Sequence, residues 1–186
     1  IEMDSHSVSN IIQNGGTILK TARSQQFRTP EGRKTAFEQL LRHKVDGVVA
    51  IGGDGTFSGA SVCMHEHKIP FVGVPGTIDN DLYGTDFTIG YDTAINTAMS
   101  AIDNIKDTAN AHNRVFFIEV MGRDSGFIAL RSGIATGAEA VLIPESPTYI
   151  DKLVEQLDKN YQDKKRASII VVAEGDESGG AFKIAE

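Results

Sequence analysis

Residues Asp46–Thr56 read DGVVAIGGDGT, an apolar β-branched run that ends in a cluster of glycines. Near-continuous apolar runs of this kind are typical of strands that are buried on both faces of a parallel sheet. The glycines allow the chain to turn tightly into a helix, which we expect to start near Thr56. The segment therefore predicts a strand, a turn and a helix in succession, the repeating unit of an α/β fold.

The same pattern recurs along the rest of the chain. Further apolar runs occur at Pro70–Val74, Arg114–Met121, Glu139–Ile143 and Ser168–Ala173. Amphipathic segments with apolar residues at helical spacing occur at Thr35–His43, Thr93–Lys106 and Tyr149–Tyr161. Strands that alternate with helices predict right-handed βαβ units and three-layer sandwiches built on parallel sheets.

Composition excludes several classes of protein. Of the 186 residues, 40% are hydrophobic and 23% charged, which is typical of a folded globular protein and not of a disordered chain. A net charge of −7 disfavours binding to nucleic acid or to an anionic membrane. The longest apolar run, around Ser168–Ala173, is too short to span a bilayer. The single cysteine, Cys63, permits no internal disulfide and favours a reducing compartment.

Ligands of parallel α/β sheets bind at the carboxyl ends of the strands, and three clusters of Gly and Asp occur there. The first is Gly52–Thr56, where glycines and a helix N-terminus suit a phosphate and Asp54 can hold Mg²⁺. An ordinary turn with Asp54 as a helix cap explains this cluster equally well. Gly59 comes one residue too late for the dinucleotide pattern G-x-G-x-x-G, and the P-loop pattern is absent.

The second cluster, Pro75–Asp81, carries two carboxylates that can take different roles, one accepting a proton and one binding a cation. Its simpler alternative is an Asx-turn in which both Asp side chains cap backbone amides. In the third, Met121–Gly126, Arg123 and a helix starting near Ser125 suit an anion; a surface ion pair with Asp124 is the alternative. Together the three loops indicate phosphoryl transfer between two bound partners.

The motifs GGDGT, PGTIDND and MGRDSG, in this order and spacing, resemble those of the bacterial-type 6-phosphofructokinases. GGDGT alone is shared with NAD kinases and diacylglycerol kinases, whereas PGTIDND together with MGR-x-x-G is highly specific. The resemblance extends along essentially the whole chain, including Gly15–Arg23 and Pro144-Glu145. It implies a glycolytic kinase that uses Mg²⁺ and transfers the γ-phosphate of ATP to the 1-hydroxyl of fructose 6-phosphate, giving ADP and fructose 1,6-bisphosphate.

The resemblance also implies a role for each matching residue. Asp79 resembles the general base, and the other catalytic residues are Thr77, Arg123 and Arg23. Contacts to the nucleotide are expected from Arg23, Arg28, Asp54, Gly55, Thr56 and Gly59. Contacts to fructose 6-phosphate are expected from Thr77, Asp79, Arg114, Met121, Gly122, Arg123 and Glu174. Asp54 and Asp81 resemble the carboxylates around Mg²⁺. Arg114 resembles an arginine that a neighbouring subunit contributes, which implies a homotetramer.

Two glycines bear on the phosphoryl donor. Pyrophosphate-dependent relatives carry Asp where this chain has Gly55 and Lys where it has Gly76, so the resemblance implies ATP. The family's usual Phe after Arg23 is replaced by Ser24. The resemblance also implies allosteric control: Glu139 and Lys165 keep the family's effector-site pattern, although Lys106 stands where bacterial relatives often have Arg. The simpler alternative for Lys164-Lys165-Arg166 is a solvated helix end before a strand.

By this resemblance the chain comprises parts of two Rossmann-like domains. Residues 1–90 form a partial nucleotide-binding domain for ATP, and residues 91–186 form most of the sugar-phosphate domain. The family's first strand and its carboxy-terminal segment are expected to lie outside the chain, so the chain by itself is expected to be inactive. The intact protein is expected in the cytoplasm. Alternatives left open are another GGDGT kinase with NAD or lipid as acceptor, and a non-catalytic sensor of sugar phosphate.

Overall fold

The computed structural model describes residues 2–163 and 167–186. The described chain divides into two compact units, one that ends at Val45 and one that runs from Asp46 to Glu186. Lys165, which the sequence suggested as an effector contact, lies outside the described residues, as do its neighbours Lys164 and Arg166.

The first unit contains a short 3-10 helix, Gln26–Arg28, and helix α1, Pro30–Arg42. The side chain of Thr29 caps α1 by accepting a hydrogen bond from the amide of Gly32 at 3.1 Å, and proline occupies the first helical position. The helix thus begins at Thr29-Pro30-Glu31, a sequence that favours a helix start, and covers most of the amphipathic segment.

The second unit contains every other element in an alternating order. These are β1 Val48–Ile51, α2 Asp54–His67, β2 Phe71–Val74, α3 Tyr91–His112, β3 Val115–Val120, α4 Phe127–Thr136, β4 Ala140–Leu142, α5 Ile150–Gln162, β5 Ser168–Ala173 and α6 Gly180–Ala185. The five predicted strands are confirmed, and α3 extends beyond the predicted segment at both ends.

Both sheets are parallel, as the sequence predicted. Strands β1 and β2 form a two-stranded sheet in which Val48 pairs with Phe71. The other three strands form a sheet in the order β3-β5-β4, so that β5 is central although it comes last in the chain. In this sheet Val120, the last residue of β3, pairs with Ala173, the last residue of β5. The carboxyl ends of β3 and β5 therefore lie side by side.

Strand β5 organises the core because its side chains alternate between two apolar clusters. Ile169, Val171 and Ala173 pack in one cluster with residues of α3 and α4. Ile170 and Val172 pack in the other with residues of α5 and α6. Helices thus cover both faces of this sheet, which confirms the predicted three-layer arrangement.

The smaller sheet departs from one expectation. Helix α2 contacts both of its strands, and Cys63 of α2 is buried. On the strands, however, Val49, Ile51 and Val72 are 58–64% exposed. Burial of β1 and β2 on both faces, which their apolar sequences predicted, is therefore wrong for the described residues, because helices pack on only one face here. Among the described residues, no helix combines the length and the apolar character needed to cross a membrane.

Replacing Ile170 by Ala tests the importance of the central strand. Ile170 is fully buried, so we expect the free energy of unfolding to fall by about 2–5 kcal/mol from lost burial and the cavity left behind. Val154→Ala, on an exposed part of α5, should change it by less than about 0.5 kcal/mol. Urea unfolding of both variants of the intact protein measures the difference. Equal losses would contradict this account of the core.

Candidate functional site

The first loop, Gly52–Thr56, joins β1 to α2. The helix begins at Asp54, two residues earlier than predicted, so Asp54, Gly55 and Thr56 form its first turn. The N-cap position is occupied by Gly53, which has no side chain to cap with. Asp54 is therefore not the capping residue that the simpler interpretation required, although its charge favours this end of the helix.

Gly55 and Gly76 differ in what a side chain at each position would contact. A Cβ atom on Gly55 would meet nothing within 4 Å, yet glycine in a helix is less favourable than alanine by about 0.5–1 kcal/mol. No contact with described residues explains this glycine, which fits a position where a ligand approaches the backbone. A Cβ on Gly76 would lie 2.6 Å from Cγ2 of Ile51, so a side chain there would require Ile51 to move. Gly55, whose Cβ would meet none of the described residues, is the position at which a contact within the protein does not account for glycine.

The second loop, Pro75–Asp81, lies against the first. A Cβ on Gly53 would be 3.3 Å from Cβ of Thr77, so the two loops touch at this point. The hydroxyl of Thr77 accepts a hydrogen bond from the amide of Asp79 at 3.2 Å, and the carbonyl of Thr77 accepts one from the amide of Gly90 at 2.9 Å. Thr77 thus packs close to the first loop and fixes the backbone that carries Asp79.

Asn80 is a residue that sequence reasoning missed. Its side-chain amide donates to the carbonyl of Asp86 at 3.1 Å, and its carbonyl oxygen accepts from the amide of Thr88 at 2.8 Å. The simpler interpretation of this loop required Asp79 and Asp81 to cap backbone amides. Within the described residues that capping is done by Asn80, which leaves both carboxylates available. The only signal in the sequence was the alternation of Asp, Asn and Asp.

The pKa of Asp79 is raised above its ordinary value. Burial is the largest cause, and repulsion from the carboxylates of Asp81 and Glu174 adds to it. The guanidinium of Arg123 acts in the opposite direction, while Asp124 adds a weaker repulsion. The loops after β2, β3 and β5 therefore place their charged groups within electrostatic range of one another. A raised pKa brings a carboxylate closer to the range that suits a general base.

The third loop, Met121–Gly126, has a strained backbone. Gly122 and Arg123 both have positive φ, 149° and 58°, and Arg123 carries the steric cost of the left-handed region. One carboxylate oxygen of Glu174 accepts hydrogen bonds from the amides of Gly122, at 3.3 Å, and Arg123, at 2.6 Å. A Cβ on Gly175 would collide with the carbonyl of Arg123, so glycine is required there as well.

Two expectations for this loop are wrong. The helix predicted near Ser125 is present and begins at Phe127, but the amide of Gly126 before it donates to the carboxylate of Glu145 and is therefore not free to bind an anion. In addition, no ion pair joins Arg123 to Asp124 in the described part of the chain, so the simpler interpretation of this loop fails too.

Besides Glu174, four predicted site residues lie outside these three loops along the chain: Arg114, Arg23, Arg28 and Gly59. Arg114 precedes β3 and thus lies at the end of the strand opposite to Met121. Six strand residues separate them, which corresponds to roughly 20 Å. Arg23 and Arg28 belong to the first unit, where Arg28 ends the 3-10 helix. Gly59 lies on α2, just over one turn beyond Gly55.

Asp54 and Asp81 fit one mode of magnesium binding. Both are exposed, and the described residues contain no group of three or more His, Cys, Asp or Glu able to hold a metal. A cage made only of protein ligands is therefore absent from this part of the chain. Mg²⁺ commonly uses one or two carboxylates and takes its other ligands from water and substrate phosphates. Two exposed carboxylates beside the phosphate loops suit that arrangement.

The sequence matches the Phosphofructokinase family over residues 1–186. The chain belongs to the phosphofructokinase family. A curated relative from Cytophaga hutchinsonii, named ATP-dependent 6-phosphofructokinase, is 60% identical over 185 residues, an alignment that covers 100% of this chain and 56% of the relative. ATP-dependent 6-phosphofructokinase 1 from Thermus thermophilus is 60% identical over 174 residues, covering 94% of this chain and 54% of the relative. This phosphofructokinase chain thus spans about half the length of the curated relatives it matches.

Solved phosphofructokinases share the fold. Phosphofructokinase from Saccharomyces cerevisiae matches 94% of this chain with a TM-score of 0.84 and 37% identity, and the match covers 27% of that chain. A pyrophosphate-dependent phosphofructokinase from Marinobacter aquaeolei matches 87% of this chain with a TM-score of 0.67 and 26% identity, covering 43% of that chain. The resemblance noted in the motifs and the predicted phosphofructokinase fold are both confirmed.

Replacing Asp79 by Asn tests the electrostatics of the phosphofructokinase site without any substrate. Because its pKa is raised by folding, ionised Asp79 destabilises the folded protein, and this penalty grows as the pH rises from 3.8 through the raised value. Asp79→Asn should therefore increase Tm at pH 7, and the gain should vanish as the pH falls toward 3.8.

Asp158→Asn, on the exposed side of α5, is the matched control and should show no such trend. Thermal melts of the intact protein across this pH range provide the measurement. A lower Tm for Asp79→Asn at pH 7 would show that its neighbours do not disfavour the carboxylate.

Proposed function

We propose that the intact protein is an ATP-dependent 6-phosphofructokinase. It transfers the γ-phosphoryl group of ATP to the 1-hydroxyl of fructose 6-phosphate and releases ADP and fructose 1,6-bisphosphate. The observation that carries this proposal is the half-buried Asp79 carboxylate of raised pKa, which lies within electrostatic range of Arg123 and Glu174. Its backbone amide is bonded to Thr77, which packs close to Gly53 at the start of α2. Family membership and the names of the curated relatives support the same reaction.

Asp79 is the general base in this proposal. It takes the proton of the 1-hydroxyl while that oxygen forms its bond to the γ-phosphorus and the bond from the phosphorus to the β-phosphate oxygen breaks. Thr77 contacts the transferred phosphoryl group and the sugar. Its hydroxyl accepts from the amide of Asp79, which holds base and phosphoryl contact in a fixed relation.

The nucleotide binds at the start of α2. Gly55 leaves open space for the phosphates, and the first-turn amides offer donors to them. Arg23 reaches the phosphates and stabilises charge in the transition state. The remaining contacts to the nucleotide come from Arg28, Asp54, Thr56 and Gly59. Asp54 and Asp81 are the residues that would hold Mg²⁺, which would neutralise charge on the phosphates.

The sugar phosphate binds at the ends of β3 and β5. Met121, Gly122, Arg123 and Glu174 form this part of the site. Arg114 comes from a neighbouring subunit of a homotetramer. Arg114 and the Arg123 loop of the same chain lie at opposite ends of β3, so Arg114 cannot reach the sugar-phosphate site of its own chain. This distance supports the assignment to a neighbouring subunit.

The intact protein acts in the cytoplasm. Residues 1–90 contribute part of its ATP-binding domain and residues 91–186 most of its sugar-phosphate domain. Effector binding that involves Glu139 regulates it. The 186-residue chain alone does not support the reaction, because the curated relatives it matches are nearly twice as long.

Replacing Asp79 by Ser tests its role as the general base. We expect kcat to fall by about 10²–10⁴-fold, with little change in KM for either substrate, because the base acts only in the transition state. Asp158→Ser, on the exposed side of helix α5, should leave kcat unchanged. Near-wild-type turnover of Asp79→Ser would remove Asp79 from the mechanism. Labelled ATP offered to NAD and diacylglycerol in the wild-type protein tests the other kinase assignments.

Replacing Gly55 by Asp tests the donor site. A Cβ at this position would meet none of the described residues within 4 Å, so Tm and the KM for fructose 6-phosphate should stay unchanged. The KM for ATP should rise on the order of 10-fold, because a carboxylate would repel the nucleotide phosphates. Gly55→Ala separates size from charge and should have the smaller effect. Unchanged ATP kinetics in Gly55→Asp would exclude Gly55 from the donor site.

A further inference from the structure

The Met121–Gly126 loop is held at both of its ends by carboxylates that come from other strands. Glu174, directly after β5, accepts hydrogen bonds from the amides of Gly122 and Arg123. Glu145, which follows β4, accepts one from the amide of Gly126. The family resemblance implied a role for Glu174, whereas Glu145 has none in the reaction as proposed above.

Glu145 is fitted closely to the end of the loop. Both of its carboxylate oxygens lie within hydrogen-bond distance of the Gly126 amide, at 2.8 and 3.1 Å. Gly126 is buried, and a Cβ there would collide with Ile143 and lie 2.7 Å from Glu145. Position 126 therefore has to be glycine for Glu145 and the end of β4 to come this near.

The charge of Glu145 suits this position. Gly126 is the N-cap residue of α4, where glycine offers no capping side chain, and the first turn of α4 contains no acidic residue. A carboxylate that accepts from the amide at a helix N-terminus makes a charge-assisted hydrogen bond and interacts favourably with the helix dipole. Glu145 thus acts as the cap that α4 lacks in its own sequence.

The segment that contains Glu145 is also hydrogen-bonded to the turn that follows β5 and Glu174. The hydroxyl of Thr148, three residues beyond Glu145, donates to the buried carboxylate of Asp176 at 2.7 Å. Asp176 also accepts from the amide of Ser178 at 2.9 Å, which fixes the turn after β5. The loops after β3, β4 and β5 are thus joined pairwise into a closed ring of hydrogen bonds.

We propose that Glu145 is a positioning residue that fixes Arg123 for the sugar phosphate. Only Asp124 and Ser125 lie between the anchored residues Arg123 and Gly126, and Arg123 has left-handed backbone geometry that an unanchored loop would relax. Anchoring both ends of the Met121–Gly126 loop fixes the direction of the Arg123 guanidinium toward the sugar phosphate. The loops that bind the nucleotide are not part of this anchor. The inference rests on the proposed function, since it assigns Arg123 to fructose 6-phosphate.

Kinetics of Glu145→Ala in the intact protein provide the main test. The KM for fructose 6-phosphate should rise on the order of 10-fold, because a loop displaced by a fraction of an ångström weakens a placed contact. The KM for ATP should stay unchanged. Glu145→Gln keeps one acceptor oxygen and should remain within about 3-fold of the wild type. Glu155→Ala, an exposed glutamate on α5, should match the wild type.

A double-mutant cycle with Arg123→Ala separates positioning from general loss of structure. If Glu145 acts through Arg123, adding Glu145→Ala to Arg123→Ala should raise the KM for fructose 6-phosphate by less than about 2-fold, since the effects of coupled residues do not add. Multiplicative effects of the two changes, or an equal rise in the KM for ATP, would overturn the proposal.

Hydrogen exchange of the peptide that covers residues 121–127 is the readout that needs no activity. Exchange in Glu145→Ala should be faster than in the wild type, and unchanged exchange would overturn the anchoring of the loop. A wild-type protein that fails to phosphorylate fructose 6-phosphate would overturn the proposed function, and Arg123 positioning for that sugar would fall with it. In that case faster hydrogen exchange in Glu145→Ala would still show that Glu145 anchors the Met121–Gly126 loop.

Discussion

The burial of β5 on both faces, with parallel partners on both sides, is the constraint on which the rest of the second unit depends. Its side chains alternate between two apolar clusters, so a shift of one residue in register would send each of them to the wrong layer. The register pairs Val120 with Ala173, and the next residue, Glu174, therefore lies beside the Met121–Gly126 loop. The position of a charged group in the site is thus set by the packing of apolar groups in the core.

The loop that this register positions is strained, and the strain has identifiable compensation. A non-glycine residue in the left-handed region, such as Arg123, costs about 1–3 kcal/mol. Charge-assisted hydrogen bonds from the Arg123 amide to Glu174 and from the Gly126 amide to Glu145 offset that cost. Gly175 lets the carbonyl of Arg123 approach the next strand end. A conformation that is unfavourable locally is therefore maintained by groups from two other strands.

The sequence was sufficient for the strands, the parallel sheets and the location of the three loops, because hydrophobic periodicity and glycine clusters are local signals. It was insufficient where the outcome depends on contacts between distant residues. The open face of β1 and β2 cannot be read from apolar residues such as Val49, which look the same whether or not a layer covers them. The hydrogen bonds of Asn80 to Asp86 and Thr88, and the cap that Glu145 provides for α4, depend on partners 6 to 19 residues away along the chain. Likewise, Gly55 and Gly76 are alike in sequence, and only the structure shows that a side chain would meet Ile51 at position 76 and open space at position 55.

The acidic character of the chain has a use in the proposed reaction. Burial raises the pKa of Asp79, and repulsion from the carboxylates of Asp81 and Glu174 raises it further, which strengthens Asp79 as a base. The carboxylates of Glu174 and Glu145 hold the loop that carries Arg123. Glu174 does both, so the residue that positions the positive group also tunes the proton acceptor. A site that binds anions can therefore lie in a chain of net charge −7. Because acidic residues outnumber basic ones in the chain, each cationic side chain has to be positioned accurately toward the bound anion. A rigid loop that is anchored at both ends provides such positioning.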